Sequence, residues 1–258
     1  MANKIKAVLI DLSGTLHIDN TVIPGATEAL KKLRSTNAKI KFVTNTTKES
    51  KSLLHNRLIQ LGFDIKKEEI FSSLAAARVT IASRKLNPFL LIDSAAMEDF
   101  EDLIKPNEEP NAVVVGLSPH KFNYEELNKA FRLLMQGASL IAIHEGRYYK
   151  RSDGLALGPG AFIKGLEYSA NVKAEVVGKP SKDFFIAALD DINPQEAVMI
   201  GDDVRDDIGG AQSVGIRGYL VQTGKYRPGD EKQISPAPTK VVESFVEAVD
   251  EILREIMT

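Results

Sequence analysis

The chain has 258 residues, of which 43% are hydrophobic and 26% charged, a composition typical of a globular protein with one large domain or two modest ones. Its 33 basic and 35 acidic side chains give a formal net charge of −2, so no basic surplus favours nucleic acid or a membrane surface as a partner. The absence of cysteine excludes disulfides, thiolate metal sites and a cysteine nucleophile. No apolar segment approaches the length of a membrane span or of a signal peptide, so we expect a soluble, cytoplasmic protein.

The first predicted strand, residues 5–10, runs directly into Asp11 and is followed by the turn residues Ser13 and Gly14. A near-continuous apolar run of this kind predicts a strand that is buried on both faces, as in a parallel sheet. The strand would deliver Asp11 to its carboxyl end, where open α/β sheets bind their ligands. Taken alone, Asp11 is better interpreted as a turn residue, because aspartate is common in turns.

Helices and strands alternate through the next 70 residues. The predicted elements are a helix at 27–35, a strand at 39–43, a helix around 53–61 that ends at Gly62, a strand-like connection at 65–71 and a helix that Ser72 or Ser73 caps. This β-α order predicts a parallel sheet with crossover helices. The strand at 39–43 ends in Thr44 and Asn45, a second polar pair at a strand end.

Residues 86–174 contain predicted strands and helices of their own, and we interpret them as a second, inserted α/β unit. Its predicted elements are strands at 90–93, 113–117 and 140–144, helices at 124–135 and at 160–168, and a small strand at 148–149 before a tight turn at 153–154. The main domain would then comprise residues 1–85 and 175–258.

From residue 174 the sequence again shows the pattern of residues 1–85, in which apolar strands end in polar residues and alternate with helices. A strand at 174–177 leads to Lys179, and a strand at 197–200 leads to Asp202. The remaining predicted elements are a helix to about 189, a helix from about 209 to 214, a strand at 217–221 and a closing amphipathic helix at 242–256.

Polar side chains therefore recur at four predicted strand ends. These are Asp11; Thr44 with Asn45; Lys179; and Asp202 with Asp206 or Asp207. Each set alone suits a turn, a solvated loop or a helix N-cap. If the strands are parallel neighbours, however, all four sets point into one crevice, which is improbable by chance.

Together these residue types favour phosphoryl chemistry. Carboxylates with a free backbone carbonyl form an oxygen shell suited to Mg²⁺, and a lysine with a threonine hydroxyl can bind phosphate oxygens. An aspartate beside a metal and a phosphate can attack phosphorus and form an aspartyl-phosphate.

The four segments resemble, in order, motifs one to four of the haloacid dehalogenase (HAD) superfamily. They read Asp11-x-Ser-Gly-Thr-Leu, Thr44-Asn45, Gly178-Lys179-Pro180 and Gly201-Asp202-Asp203-x-x-Asp206-Asp207. The insert lies between motifs two and three, where type-C2 caps occur, and its texture resembles that of the C2a phosphatases. The resemblance implies an α/β fold with a Rossmann-like parallel sheet core and a smaller α/β C2-type cap domain. It also implies a small phosphorylated substrate, and related capped enzymes often pair through the cap as homodimers.

The resemblance also implies a role for each matching residue. Asp11 would be the nucleophile and a Mg²⁺ ligand, Asp202 a second ligand and the Ser13 backbone carbonyl a third, while Ser13, Thr44, Asn45 and Lys179 would hold the phosphoryl group. Asp207 would orient Lys179 or a metal-bound water, and Asp206 is the alternative for that role.

The sequence departs from the family at Ser13, where most HAD phosphatases carry a second aspartate that protonates the leaving group. Losing such a group costs about 10²–10⁴-fold in rate. Three hypotheses follow. The substrate has a leaving group that needs little protonation, as in aryl phosphates, phosphoramidates or pyrophosphate, or another residue, either His17 or a cap residue, donates the proton. In the third hypothesis the protein is weakly active or non-catalytic and binds phosphate ligands. A dehalogenase is disfavoured, because dehalogenation needs no Mg²⁺ cluster and the aspartates from Asp202 to Asp207 supply one.

Overall fold

The computed structural model describes residues 4–151 and 153–257 of the chain. Within these residues the strands are, in chain order, β1 (Ala7–Ile10), β2 (His17–Ile18), β3 (Thr21–Val22), β4 (Lys39–Thr44), β5 (Ile70–Ser72), β6 (Pro88–Leu91), β7 (Ala112–Val115), β8 (Ser139–Ala142), β9 (Tyr148–Arg151), β10 (Gly154–Leu157), β11 (Glu175–Val176), β12 (Ala197–Gly201), β13 (Arg217–Val221) and β14 (Lys240–Val242).

The helices of the same residues are α1 (Ala26–Arg34), α2 (Lys51–Gln60), α3 (Ser73–Ser83), α4 (Tyr124–Met135), α5 (Gly160–Ala170), α6 (Lys182–Leu189), α7 (Gly210–Gln212) and α8 (Phe245–Met257). A π-helical turn, Val204–Gly209, precedes α7. Local capping explains several starts: Ser50 accepts a hydrogen bond from the Leu53 backbone at α2, and Ser72 accepts one from Ala75 at α3.

The main sheet has six parallel strands in the order β14-β13-β12-β1-β4-β5. Strand β1 lies in its interior, with Ile10 in register with Ile200 of β12 and with Phe42 of β4. The carboxyl ends of β1, β4 and β12 therefore meet at one edge, as the sequence predicted for Asp11, Thr44 and Asp202.

Strand β1 is buried on both faces, which confirms the interpretation of its apolar run. Val8 and Ile10 pack in a core cluster with α1 and α8, while Ala7 and Leu9 pack with α6 and α7 on the opposite face. Helices on both faces explain why this strand shows no alternation of apolar and polar residues.

A second sheet has four parallel strands in the order β11-β8-β7-β6. Ala112 and Val114 of β7 face a cluster that includes α3, and Val113 and Val115 face a cluster that includes α4 and α5. The structure thus has a Rossmann-like core with a smaller α/β unit, which is the fold class that the sequence predicted. The domain boundaries at 85/86 and 174/175 stay predictions.

The structure corrects three predictions of local detail. The strand before Lys179, β11, pairs with β8 and belongs to the second sheet, so it is not a neighbour of β1. The helix predicted from 209 to 214 begins as a π-helical turn at Val204 and ends at Gln212. The hairpin β2–β3 and the edge strand β14 were not predicted, since two or three residues carry too little periodicity.

The hairpin β9–β10 is antiparallel, with Leu157 opposite Tyr148. Its position near the predicted turn at 153–154 agrees with the sequence signal. In the described part of the chain, no helix combines the length and the apolar character that crossing a bilayer requires.

Candidate active site

Asp11 lies one residue beyond β1 and is held by its backbone, whose N–H donates to the Ile200 carbonyl at 2.9 Å. The turn after it depends on Gly14, which has a φ of +98°. A Cβ at Gly14 would lie 2.1 Å from Oδ2 of Asp202, so only glycine allows the two strand ends to approach this closely.

Lys179 joins three strand ends through its buried ammonium group. Nζ donates to Oδ1 of Asp11 and to Oδ1 of Asp207, each at 2.6 Å, and to the Val43 carbonyl at 2.9 Å. These contacts use all three ammonium hydrogens. Although burial opposes the charged form, Asp11 and Asp207 raise the pKa of Lys179, so the lysine stays positively charged.

The backbone of Lys179 is held by Asn45 from the end of β4. Asn45 Nδ2 donates to the Lys179 carbonyl at 2.9 Å, and Oδ1 accepts from the Lys179 N–H at 3.0 Å. A Cβ at Gly178 would lie 2.7 Å from Oδ1 of Asn45, which explains the glycine before the lysine. Since β11 belongs to the second sheet, Asn45 connects the Lys179 backbone to the main sheet, as the Val43 carbonyl and Asp11 do for the ammonium group.

Thr44 and Ser13, the remaining residues predicted to bind phosphate, both line the same cavity. Thr44 is buried, and its Oγ1 accepts a hydrogen bond from the Thr46 N–H at 3.1 Å, which leaves the hydroxyl hydrogen available. Ser13 is exposed to the cavity.

Three carboxylates form a cluster that could hold a metal ion: Asp11, Asp202 and Asp207 each offer an oxygen, and these oxygens lie within 4.8 Å of one another. Oδ2 of Asp202 accepts from the Lys225 N–H at 2.8 Å, whereas its buried Oδ1 has no hydrogen-bond partner. A buried carboxylate oxygen without a partner needs a cation or a proton. Hard oxygen ligands of this kind fit Mg²⁺.

Burial makes three aspartates of the site, Asp202, Asp206 and Asp207, reluctant to ionise. It raises the pKa of Asp202 well above its usual value and the pKa of Asp207 to about 6, although Lys179 opposes the shift at Asp207. Burial, together with the charge of Asp203, raises the pKa of Asp206 to about 7. A bound divalent cation would reverse these shifts, because it favours the ionised carboxylates.

The two candidates for supporting Lys179 occupy different positions. Asp207 contacts the lysine directly, and its Oδ2 also accepts from the Asp203 N–H at 3.1 Å. A Cβ at Gly201 would lie 2.3 Å from that same Oδ2, so the glycine makes room for Asp207. Asp206 lines the cavity as Asp207 does, but among the described residues no hydrogen bond joins it to Lys179.

The sequence analysis missed Lys225, a second cation in the site. Its Nζ lies 2.9 Å from Oδ2 of Asp203, which caps the π-helical turn by accepting from the backbone of Arg205 and Asp206. Despite burial, the Lys225 ammonium and the backbone N–H of Asp206 lower the pKa of Asp203 to about 2. The only sequence signal was the pair Thr223-Gly224 after β13, where a Cβ at Gly224 would lie 2.1 Å from the Asp202 carboxylate.

These residues surround a cavity of about 390 Å³, whose opposite wall comes from the second α/β unit. That wall includes His144, which follows β8, and Tyr148 and Tyr149 of the hairpin β9–β10. Lys48 lies 4.1 Å from the centroid of the Tyr149 ring, a cation–π contact that ties the hairpin to the loop after β4.

His17 also lines the cavity, but its geometry does not favour proton donation. Nδ1 bonds to the Asp19 carbonyl at 2.9 Å and must therefore carry the hydrogen, while the buried Nε2 has no hydrogen-bond partner. Burial and the nearby Arg57 lower the pKa of His17, so the ring is neutral at pH 7. Neutral His17 offers a lone pair at Nε2 and no proton there.

Comparison with known proteins agrees with this arrangement. A family model described as haloacid dehalogenase-like hydrolase matches residues 8–103, and a HAD-hydrolase-like model matches residues 176–248. The chain is 57% identical to haloacid dehalogenase-like hydrolase domain-containing protein 2 of Bos taurus, over 98% of each chain. It is 41% identical to the phospholysine phosphohistidine inorganic pyrophosphate phosphatase of Xenopus laevis, over 98% of this chain and 96% of the relative.

Solved structures agree as well. A p-nitrophenyl phosphatase from Archaeoglobus fulgidus superposes with a TM-score of 0.87 and 28% identity, covering 96% of this chain and 99% of that one. A glycerol phosphate phosphatase from Mycobacterium tuberculosis in complex with calcium has a TM-score of 0.80 and 25% identity, covering 93% and 74%. The chain therefore belongs to the haloacid dehalogenase-like hydrolase family, among its cap-bearing phosphatases.

Proposed function

We propose that the chain is a Mg²⁺-dependent phosphatase that hydrolyses a small phosphorylated substrate through an aspartyl-phosphate at Asp11. The observation that carries the proposal is the contact of Lys179 with Asp11 and Asp207 beside the unpartnered oxygen of Asp202. A buried carboxylate, a fixed cation and an unpartnered carboxylate oxygen at one edge of a cavity support a nucleophile beside a metal ion.

The metal ligands in this proposal are Asp11, Asp202 and the backbone carbonyl of Ser13. When bound, Mg²⁺ would supply positive charge to offset the charge on the transferring phosphoryl group. The calcium in the structure of the glycerol phosphate phosphatase supports a divalent cation in this kind of site.

The protein's own residues perform the remaining tasks. A carboxylate oxygen of Asp11 attacks phosphorus in line with the leaving group, and Lys179 keeps that carboxylate oriented. The hydroxyls of Thr44 and Ser13 donate hydrogen bonds to phosphoryl oxygens. Asn45 takes part in this binding less directly, because both ends of its amide already hold the Lys179 backbone.

The substrate must tolerate the missing acid at Ser13. Among the three hypotheses from the sequence, the neutral, Nδ1-protonated state of His17 weakens the substitute-donor hypothesis for that residue. Substrates with stable leaving groups, such as aryl phosphates and pyrophosphate, are therefore the class that we propose. Two relatives, named as a p-nitrophenyl phosphatase and a phospholysine phosphohistidine inorganic pyrophosphate phosphatase, support this class, whereas a third is named as a glycerol phosphate phosphatase.

A second candidate function is non-catalytic or weakly catalytic binding of a phosphate ligand, and Ser13 is the observation that favours it. The two functions are separated by measuring p-nitrophenyl phosphate hydrolysis with Mg²⁺ and with EDTA. The phosphatase proposal predicts turnover that EDTA abolishes. Phosphate binding without turnover would support the second function.

The nucleophile is tested by trapping the phosphoenzyme after an acid quench. Asp11→Asn should abolish both turnover and labelling, because the amide cannot attack phosphorus. Asp64→Asn is the matched control, since that side chain is 78% exposed and lies outside the cavity. Persistent labelling of Asp11→Asn would refute Asp11 as the nucleophile. Pairing of two copies through the cap and a cytoplasmic location stay predictions.

A further inference from the structure

His144 lines the same cavity as Asp11, yet the proposed function gives it no task. The residue follows β8 in the second sheet and is 9% exposed. Burial, together with the positive charges of Lys225 and Lys179, lowers the pKa of His144 to about 3. The imidazole is therefore neutral at physiological pH and carries one hydrogen.

The position of that hydrogen follows from the backbone around the ring. The Gly146 N–H donates to Nδ1 of His144 at 3.1 Å, so Nδ1 is an acceptor and the hydrogen of the neutral ring is on Nε2. A Cβ at Gly146 would lie 2.9 Å from Nδ1, which shows how tightly the glycine backbone holds the ring.

The Nε2–H group is available to a ligand. Among the described residues no hydrogen bond to Nε2 is formed, and the atom is not enclosed in the protein interior. The ring lines the cavity and its Nδ1 edge is occupied by Gly146, so Nε2–H is the group through which His144 can donate to a ligand there. Because the Gly146 N–H and the burial of the rest of the ring hold His144 in place, this accessible donor has a fixed orientation and can serve a ligand without reorganisation.

We propose that Nε2–H of His144 donates a hydrogen bond to the leaving-group oxygen of the substrate as the bond from phosphorus to that oxygen breaks. The proposal rests on the proposed phosphatase function. The new bond forms between a carboxylate oxygen of Asp11 and phosphorus, and the electron pair of the broken bond stays on the leaving oxygen. That oxygen departs as an anion and takes its proton later from water, so no proton moves from His144.

This assignment explains how the site can function with Ser13 in place of an acid. The N–H of a neutral imidazole is a much weaker acid than a phenol or a phosphate, so it does not protonate these leaving groups, but it can stabilise their negative charge by hydrogen bonding. The substrate class is thus one whose leaving oxygen is stable as an anion, namely an aryl phosphate or a pyrophosphate. Donation from His144 matters most where the negative charge on the leaving oxygen is least stable.

The test is a series of aryl phosphates, from nitrophenyl to phenyl phosphate, hydrolysed by the Mg²⁺-loaded enzyme. His144→Ala should lower kcat/KM for phenyl phosphate by about 10²-fold and for nitrophenyl phosphate by less than about tenfold, so that kcat/KM falls more steeply with leaving-group basicity. His144→Gln, which keeps an N–H donor, should recover part of the phenyl phosphate rate. The matched control is His120→Ala, because His120 is exposed and lies outside the cavity.

The outcomes are distinguishable. If the wild type hydrolyses none of these esters, the proposed function fails; if it is active and His144→Ala lowers every rate by the same factor or by none, only the role of His144 is refuted. A steeper dependence that His144→Gln leaves uncorrected also refutes the assigned donor. His144→Leu replaces His144→Ala if circular dichroism shows that the alanine variant is unfolded.

Discussion

Replacing Lys179 by methionine tests the central charge arrangement of the site. Methionine has a similar volume, so the substitution removes the ammonium group without creating a large cavity. The lysine side chain is 2% exposed, and its partners Asp11 and Asp207 are 8% and 2% exposed. Removing one partner of a buried ion pair costs about 3–5 kcal/mol, because the remaining charge is buried and uncompensated.

We therefore expect Lys179→Met to lower the free energy of unfolding by about 3–5 kcal/mol at pH 8 without Mg²⁺. For a chain of this size that loss corresponds to a decrease in Tm of about 6–10 °C. The loss should shrink at pH 5, because Asp207, whose pKa burial raises to about 6 even beside Lys179, can then take up a proton. It should also shrink in excess Mg²⁺, since a bound cation replaces part of the missing charge.

The assay is urea unfolding followed by circular dichroism at both pH values, with and without Mg²⁺. Lys182→Met is the matched control, because this lysine is exposed and its replacement should change the unfolding free energy by less than about 0.5 kcal/mol. A loss below about 1 kcal/mol for Lys179→Met, or a larger loss that neither pH nor Mg²⁺ changes, would refute the reasoning.

Three further predictions follow from the same site. Gly14→Ala should weaken Mg²⁺ binding, measured by calorimetry, and should destabilise the protein more than Gly62→Ala does. Both glycines have a positive φ, but only at Gly14 would the added Cβ collide with a carboxylate, that of Asp202, so equal effects of the two substitutions would contradict the prediction. Ser13→Asp should raise turnover of alkyl phosphates by up to about 10²-fold and leave aryl phosphates nearly unchanged, and unchanged alkyl turnover would remove the missing-acid argument. Without Mg²⁺, Tm should fall as pH rises from 3.8 to about 7, because the raised pKa values of Asp206 and Asp207 let the folded state hold protons that the unfolded state releases. Asp206→Asn should reduce that fall, and a fall of equal size in this variant would count against the assignment.

The main sheet could be predicted because its strands are buried on both faces. Residues 7–10 and 197–200 are continuous apolar runs, which is the pattern that helices on both faces of a parallel sheet produce. The helix at 124–135 was predicted with its observed bounds, since its apolar residues recur at helical spacing and Asn123 caps its start. Asp11, Thr44 and Asp202 each follow a predicted strand closely, and this position likewise predicted that they lie at the same edge of a parallel sheet.

The sheet that contains the strand before Lys179 was predicted less well. The apolar residues before it resemble the end of another core strand, but β11 has two residues and pairs with β8 of the second sheet. Periodicity cannot assign a strand this short to one of two sheets, because both offer a parallel partner. The hydrogen bonds between Lys179 and Asn45 could not be predicted from the sequence either, since the two residues are 134 positions apart.

Sequence by itself determined the residue types at the ends of the strands, and with them the family and the kind of chemistry. Tertiary structure decided which groups meet: Lys179 contacts Asp207 while Asp206 lines the cavity, and Lys225 enters the site from the loop after β13. It also decided the protonation of His17 and His144, because a backbone carbonyl holds the hydrogen on Nδ1 of one ring and a backbone N–H excludes it from Nδ1 of the other. The physical reason is that burial and hydrogen-bond partners, which set charge and tautomer, arise only when distant segments pack together.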